Sequence, residues 1–174
     1  MKKTNLAKAK KGFTIIEVVL VLAIAGLIFL MVFVALPALQ SSQRDTQRKD
    51  DYALLATTIT NFSSNNRGAL PANGTYAWNG SNAKIGASTY TDGFLKSYLQ
   101  DGFIDPNGNT YLVNVSTGAA GKKYTLSPDG GATTVFVIKS AKCTDGAPEF
   151  DSKLGDRRYA VYGYLESGAY CNDN

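Results

Sequence analysis

The stretch that decides the fold reads VVLVLAIAGLIFLMVFVAL, from Val18 to Leu36. It holds no charged residue, and at about 1.5 Å per residue it reaches roughly 28 Å, close to the ~30 Å hydrocarbon core of a bilayer. A cleaved secretory signal has an apolar core of only about 7 to 15 residues and then small residues at its cleavage site. Pro37 and the residues after it offer no such site. The stretch therefore predicts a membrane-spanning helix.

Basic residues are concentrated in front of this stretch. Five of the 18 Lys and Arg residues fall in the first twelve positions, which hold no acidic residue. Positive residues that flank a first helix stay in the cytoplasm, so we expect the N-terminus inside and everything after Leu39 outside. Without those five, 13 of the 18 basic residues remain against 14 acidic ones. Net charge therefore gives no reason to predict direct binding of nucleic acid.

The composition also limits the possible chemistry. The 174-residue chain has no His and only two Cys. Zinc hydrolase, Ser-His-Asp and Cys-His mechanisms need a His, and an all-cysteine zinc or iron–sulfur site needs more thiols than this chain has. No other catalytic arrangement is visible, so we predict neither an enzyme nor a bound cofactor.

Glu17 is the one acidic residue at the start of the apolar region. Its neighbours are Ile15, Ile16, Val18 and Val19. An unpaired carboxylate in hydrocarbon costs up to ~3 kcal/mol, which would call for a specific partner. A carboxylate near the cytoplasmic interface keeps part of its hydration and needs none. The residues by themselves leave both interpretations open.

The heptapeptide that contains Glu17 reads Lys11-Gly12-Phe13-Thr14-Ile15-Ile16-Glu17. It resembles the class III signal of type IV pilins and pseudopilins, in which a basic leader ends in Gly and is followed by Phe and then a single acid. The resemblance covers about the first 40 residues. It implies that a membrane-embedded prepilin peptidase cuts between Gly12 and Phe13 and methylates the new amino group. A residue without a side chain at the cut lets an extended backbone enter a protease groove.

The same resemblance implies roles for three further residues. Glu17 would pair with the amino group of Phe13 in a neighbouring subunit, because two charges that are each costly in hydrocarbon become tolerable once paired. Gly26 and Pro37 both weaken a helix and would loosen it when the subunit enters a filament. Gly and Pro are also common in membrane helices, so a chance placement is the alternative.

Polar residues follow from Gln40 to Asp51 without Pro or Gly, so we expect the helix to continue into water. Arg44, Arg48 and Lys49 alternate there with acidic residues, which predicts a solvated face. The helix should end near Gly68. Before that end, an apolar stripe at 3-4-3 spacing predicts one face packed on a core, and its residues are Tyr52, Leu55, Ile59 and Phe62.

The remaining residues predict a small α+β head. The segment from Gly68 to Gly93 suits a loop region with short elements, and Thr91 to Gln100 suits a short helix. Short links that contain Gly join most of the strand candidates, which favours an antiparallel four-stranded sheet in meander order. The long helix packed on such a sheet is an α+β, pilin-like architecture. The four candidates are Tyr111 to Val115, Lys123 to Leu126, Thr133 to Lys139, and Arg158 to Leu165.

Two features of the head are candidate sites. The Asp105-Pro106-Asn107-Gly108 sequence predicts a tight turn and resembles a turn of many pilins and pseudopilins, some of which bind calcium nearby. Asp101, Asp105, Asn107 and Asn109 offer oxygen ligands, but their spacing is not that of an EF-hand, so a plain turn is the leading interpretation.

Cys143 and Cys171 are the only cysteines. A disulfide between them would be permitted outside the cytoplasm and would stabilise by roughly 3 to 4 kcal/mol in the chain-entropy model. Two buried thiols are the alternative.

These features predict four segments: a cleaved leader 1–12, a transmembrane and assembly helix 13–39, an amphipathic helix 40–66 and a head 67–174. The expected function is that of a structural subunit of a type IV pilus, first in the cell membrane and then in an extracellular filament. Its implied partners are copies of itself, the prepilin peptidase, and an inner-membrane assembly platform with its ATPase. One alternative is a pseudopilin of a type II secretion or DNA-uptake filament, and another is a signal-anchored adhesin that never polymerises.

Overall fold

The computed structural model describes residues 12–78, 83–85, 88–90, 93–99, 102–122, 124–126, 128–129 and 132–174. The chain divides into two compact units, Met1–Gln40 and Ser41–Asn174. The described residues form two helices and ten strands: α1 (Ile15–Asn65), β1 (Gly74–Ala77), β2 (Ala83–Ile85), β3 (Ser88–Tyr90), α2 (Gly93–Tyr98), β4 (Thr110–Thr117), β5 (Pro128–Asp129), β6 (Ala132–Lys139), β7 (Ala141–Thr144), β8 (Ala147–Phe150), β9 (Tyr159–Leu165) and β10 (Gly168–Asp173).

The long helix α1 ends where the sequence predicts. Gly68 has a φ of 87°, a conformation that is open to a residue without a Cβ. The Gly68 amide donates a hydrogen bond of 2.7 Å to the carbonyl of Ser63. This bond satisfies one of the carbonyls that the last turn of a helix leaves free, so the chain stops the helix here and turns away.

The main sheet has six strands in the order β1-β4-β6-β9-β10, with β5 paired to one end of β6. The pairs β1·β4, β6·β9 and β9·β10 are antiparallel. The second half of α1 packs against one face of this sheet. The α+β architecture predicted from the sequence, a long helix on a mostly antiparallel C-terminal sheet, is confirmed.

The predicted meander is wrong at one pair of strands. β4 and β6 are parallel neighbours, in register from Thr110 with Ala132 to Thr117 with Lys139. Parallel neighbours need a crossover of about a dozen residues or more, and residues 118–131 provide it. The strand predicted at Lys123 to Leu126 would have separated them, but residues 124–126 are not a strand, and position 123 lies outside the described residues.

The apolar stripe of α1 forms the centre of the core, as predicted. Tyr52, Leu55 and Ile59 are fully buried, and Phe62 packs at the margin of the same cluster. Inward-facing residues of β4, β6 and β9 complete that cluster. The Tyr52 ring lies directly against Gly163 of β9, where a Cβ atom would overlap it. The position therefore requires glycine because the helix approaches the sheet closely there.

Candidate functional site

The N-terminal motif is the first candidate site. Gly12 to Thr14 precede α1, and the Phe13 side chain is 90% exposed. One carboxylate oxygen of Glu17 accepts hydrogen bonds from the Thr14 amide at 2.9 Å and from the Thr14 hydroxyl at 2.8 Å. The Thr14 hydroxyl in turn accepts from the Glu17 amide at 3.4 Å. Thr14 and Glu17 therefore form a reciprocal capping box at the first turn of α1.

The capping box was not part of the sequence prediction, although its signature is present. Thr14-Ile15-Ile16-Glu17 has the spacing of a Thr followed three residues later by Glu just before an apolar run. The box gives Glu17 a role within a single subunit, because its carboxylate satisfies a helix-start amide that otherwise lacks a partner. The predicted pairing of Glu17 with the amino group of Phe13 in another copy stays a prediction.

The side chains in the apolar part of α1 are not buried by any of the described residues. Among the described residues, α1 is the one helix long and apolar enough to cross a membrane, and no side chain of its apolar stretch is buried. The helix continues through both Gly26 and Pro37. A Cβ at Gly26 would meet no other atom within 4 Å. The predicted loosening at these two residues stays a prediction.

A buried cluster of charges is the second candidate site, and we call its five residues, Arg44, Asp45, Arg48, Asp105 and Glu166, the charge cluster. Its central residue is Arg48, which is 1% exposed. The Arg48 Nε donates to the Asp105 Oδ1 at 2.7 Å, and its Nη1 lies 3.3 Å from Glu166 Oε1 and 3.4 Å from Asp45 Oδ1. Arg44 adds a two-point contact with Glu166 at 2.6 and 2.8 Å.

The solvated face predicted for this part of α1 is therefore wrong. Lys49 is exposed, but Arg48 and Asp45 are buried and Arg44 is half-buried. The signal that would have found them is the apolar stripe itself. Its 3-4-3 spacing, continued backwards from Tyr52, places Arg48 and Asp45 on the face of α1 that packs on the head. Because both residues are charged, they do not count as apolar positions when a stripe is identified from the sequence.

The turn between β9 and β10 contacts all the residues that α1 contributes to the charge cluster. The amides of Glu166 and Ser167 donate to the two carboxylate oxygens of Asp45, at 2.7 and 3.0 Å. The side chain of Glu166 accepts from Arg44 and Arg48. A single turn thus binds one acidic and two basic residues of α1.

These contacts shift the acid–base behaviour of the head. Burial by itself would raise the pKa of the Asp45 carboxyl, but hydrogen bonds from Glu166 and Ser167 and the charge of Arg48 hold that pKa below its usual value. Hydrogen bonding to Arg44 is the main cause that lowers the pKa of Glu166. Nearby, burial raises the pKa of Asp51, whose carboxylate accepts from the Tyr111 hydroxyl at 2.9 Å.

We expect the head to lose stability in acid because of this cluster. Asp45 and Glu166 bind fewer protons in the native than in the unfolded state, so their contribution is complete above the unfolded pKa values of about 4 to 4.5 and is lost as the pH falls through their lowered native values. Asp51, with its raised pKa, acts in the opposite direction. Urea unfolding of the full chain in detergent, followed by Trp78 fluorescence at pH 7, 5 and 3.5, measures the net change of the unfolding free energy with pH.

Glu166→Gln should flatten that acid dependence, because it removes one of the two carboxyls with a lowered native pKa. Glu149→Gln is the matched control, since Glu149 lies in an exposed pair with Lys142. If the wild-type and Glu166→Gln proteins lose equal stability between pH 5 and 3.5, this assignment is wrong.

The turn at Asp105 is formed as predicted, and its carboxylate has a protein partner. The Gly108 amide donates to the Asp105 carbonyl, and the Asp105 amide donates to the Asn109 carbonyl, both at 2.7 Å. The Asp105 side chain is directed to Arg48. Asn107 is exposed, and the fourth proposed calcium ligand, Asp101, lies outside the described residues. The contact with Arg48 gives Asp105 a structural role that needs no calcium ion.

The two cysteines form the predicted disulfide. Cys143 of β7 and Cys171 of β10 are joined with a Cα–Cα distance of 5.8 Å. The Cys143 amide also donates to the Asp173 carboxylate at 2.9 Å. The bond ties the small β7–β8 hairpin to the last strand of the main sheet. Beside it, Ile138, Ala141 and Ala160 form a second, smaller core on the sheet face away from α1.

Comparison with known proteins bears on the N-terminal motif. Residues 7–33 match the family model of the prokaryotic N-terminal methylation motif. This range contains Gly12, Phe13 and Glu17, together with most of the apolar stretch. No curated protein and no solved structure gives a significant match to the chain. The chain carries a prokaryotic N-terminal methylation motif, the class III signal peptide of type IV pilins.

Proposed function

We propose that this protein is a structural subunit of a type IV pilus. The observation that carries the proposal is the exposed apolar part of α1, most of which lies within the methylation motif and which directly follows Glu17. An apolar helix without cover from its own protein needs lipid or other apolar helices around it. Lipid surrounds the helix before assembly, and the same helices of other copies surround it in the filament.

The four predicted segments have distinct tasks in this proposal. Prepilin peptidase removes the leader 1–12 on the cytoplasmic side and methylates Phe13. The helix 13–39 then anchors the subunit in the membrane with its head outside and later forms the filament core. The helix 40–66 carries the head 67–174, which faces outward. An inner-membrane platform with a cytoplasmic ATPase would move the subunit from the bilayer into the filament.

A pseudopilin of a type II secretion or DNA-uptake filament is the second candidate. The Asp105–Gly108 turn supports it, whereas the disulfide near the C-terminus supports a pilin. Both functions use the same processing and the same assembly helix. Electron microscopy of cells with and without this chain distinguishes them, because a pilin subunit is needed for long surface filaments.

Replacement of Gly12 tests the processing on which both candidates depend. Gly12→Leu should leave the full-length precursor in the membrane, because a large side chain at the cut blocks entry of the backbone into the peptidase. Intact-protein mass spectrometry of the membrane fraction distinguishes the precursor from a product that lacks twelve residues. We expect at least about a tenfold loss of processed subunit, equivalent to roughly 1.4 kcal/mol in transition-state binding.

Gly26→Leu is the matched control, since it places the same side chain at a glycine of α1 with open space around it. This control should be processed normally. If Gly12→Leu also gave the normal processed mass, the processing site and the proposed function would both be wrong.

A further inference from the structure

The part of α1 from Ser41 to Asp51, which we call the polar segment, is attached to the head by polar contacts. It contains no apolar residue. Arg44, Asp45 and Arg48 make the contacts of the charge cluster, and Asp51 accepts from Tyr111. Apolar packing on the head begins only with Tyr52, the next residue.

Tyr52 marks the boundary between two kinds of attachment. Its ring is fully buried against Gly163, and its hydroxyl donates to the Tyr164 carbonyl at 2.7 Å. From Tyr52 to Ile59, α1 is held by the apolar core, whose separation from the sheet would expose large side chains to water. The polar segment can separate at a smaller cost, because it exposes only the stem of Arg48 and the ring contacts of Arg48 and Lys49, while charges that leave the cluster become hydrated.

The partners of the polar segment on the head come from two turns. The β9–β10 turn binds Arg44, Asp45 and Arg48 through Glu166 and Ser167, and the Asp105 turn binds Arg48. Both turns are held independently of the polar segment. β9 and β10 are paired over six residues, and the Asp105 turn has its own backbone hydrogen bonds. Release of the polar segment therefore leaves the sheet and its turns in place.

We propose that the polar segment is a releasable strap, closed on the head by Glu166 and able to open while the apolar core stays folded. The strap has low local stability within a more stable domain, as many moving elements have. If the proposed filament function is correct, opening under tension would lengthen each subunit between its assembly helix and its head. The strap itself does not depend on that function, and its test uses the isolated subunit.

Chemical labelling of Arg48 measures the opening directly. Phenylglyoxal modifies accessible guanidinium groups, and Arg48 is accessible only when the strap is open, whereas Arg67 is exposed at all times. The full chain in detergent micelles would be labelled and its peptides measured by mass spectrometry. Hydrogen exchange of β4 and β6 in the same sample reports opening of the core.

We expect Arg48 in the wild-type protein to be labelled more slowly than Arg67 but faster than core opening would allow. Glu166→Gln should accelerate the labelling of Arg48 by about tenfold, as expected for the loss of one hydrogen bond between charged groups. Exchange in β4 and β6 should stay unchanged. Arg44→Gln, which removes the other end of the strongest contact of Glu166, should give the same pattern, and Glu149→Gln should leave both rates at their wild-type values.

Two results would refute the proposal that the polar segment is a releasable strap. One is that Glu166→Gln and Arg44→Gln leave the labelling of Arg48 unchanged. The other is that labelling of Arg48 and exchange in the core rise together in every variant, which would make the polar segment part of one cooperative unit with the core. Neither result depends on whether the chain forms filaments, so failure of the strap and failure of the proposed function can be told apart.

Discussion

Cells that produce the Glu17→Leu variant should contain processed, membrane-inserted subunits and almost no filaments. Leu removes the carboxylate that would pair with the amino group of Phe13 in the neighbouring copy, and an unpaired charge in hydrocarbon costs about 2.5 to 3.5 kcal/mol. That loss lowers the equilibrium constant for each subunit addition by roughly 100-fold. Intact-protein mass spectrometry measures processing, and immunoblots of sheared filaments measure assembly.

Glu17→Gln separates the two roles that the structure and the motif suggest for this residue. Gln at this position retains an acceptor for Thr14 and can complete a capping box, but it has no charge. If pairing between subunits decides assembly, Gln and Leu should both abolish filaments. If capping of α1 decides it, Gln should keep a near wild-type yield. Normal filaments from both variants would refute a role for Glu17 in assembly.

The Arg48→Met variant should lose up to about 3 to 5 kcal/mol of unfolding free energy, the largest effect that we expect on the head, with the free energy of strap opening as its upper limit. Met fills most of the space of the aliphatic stem but leaves the Asp105 carboxylate, which is 2% exposed, buried without its cation. Urea unfolding of the full chain in detergent, followed by the fluorescence of its single Trp, Trp78, gives the free energy.

Two further variants serve as a control and a rescue for this measurement. Lys49→Met makes a similar change at an exposed neighbour and should cost less than about 1 kcal/mol. Asp105→Asn combined with Arg48→Met should recover part of the loss, since it removes the uncompensated charge. A loss below about 1 kcal/mol for Arg48→Met would show that water reaches Asp105, and the charge cluster would then contribute little to the fold.

The N-terminal half of the protein could be predicted because its signals are local. A run of apolar residues, a basic leader and an acid at a fixed distance from a glycine need no knowledge of the rest of the chain. The stripe from Tyr52 to Phe62 could be predicted for the same reason, since helical periodicity places its residues on one face. The end of α1, just before Gly68, depends on the backbone conformation of that one residue.

The topology of the head could not be predicted in this way. Whether β4 and β6 are neighbours depends on the packing of distant segments, and the order of the strands along the chain favoured a meander. β1 and β10 were missed because both are short and begin with Gly, and β10 ends in Asn and Asp, and these residue types are depleted in strands. Their pairing with β4 and β9 makes them strands.

The sequence by itself determined that the chain has a membrane-length apolar helix, a methylation motif that overlaps its start and an amphipathic helix behind it. Each of these depends on residues within a few turns of one another. Only the tertiary structure decided the fate of Arg44, Asp45 and Arg48. Their partners, Asp105 and Glu166, lie more than fifty residues away in sequence. Whether a charge stays in water or becomes buried depends on whether the fold brings an opposite charge to it. Arg48 and Asp45 are therefore buried, Arg44 is half-buried, and the three residues join the helix to the head.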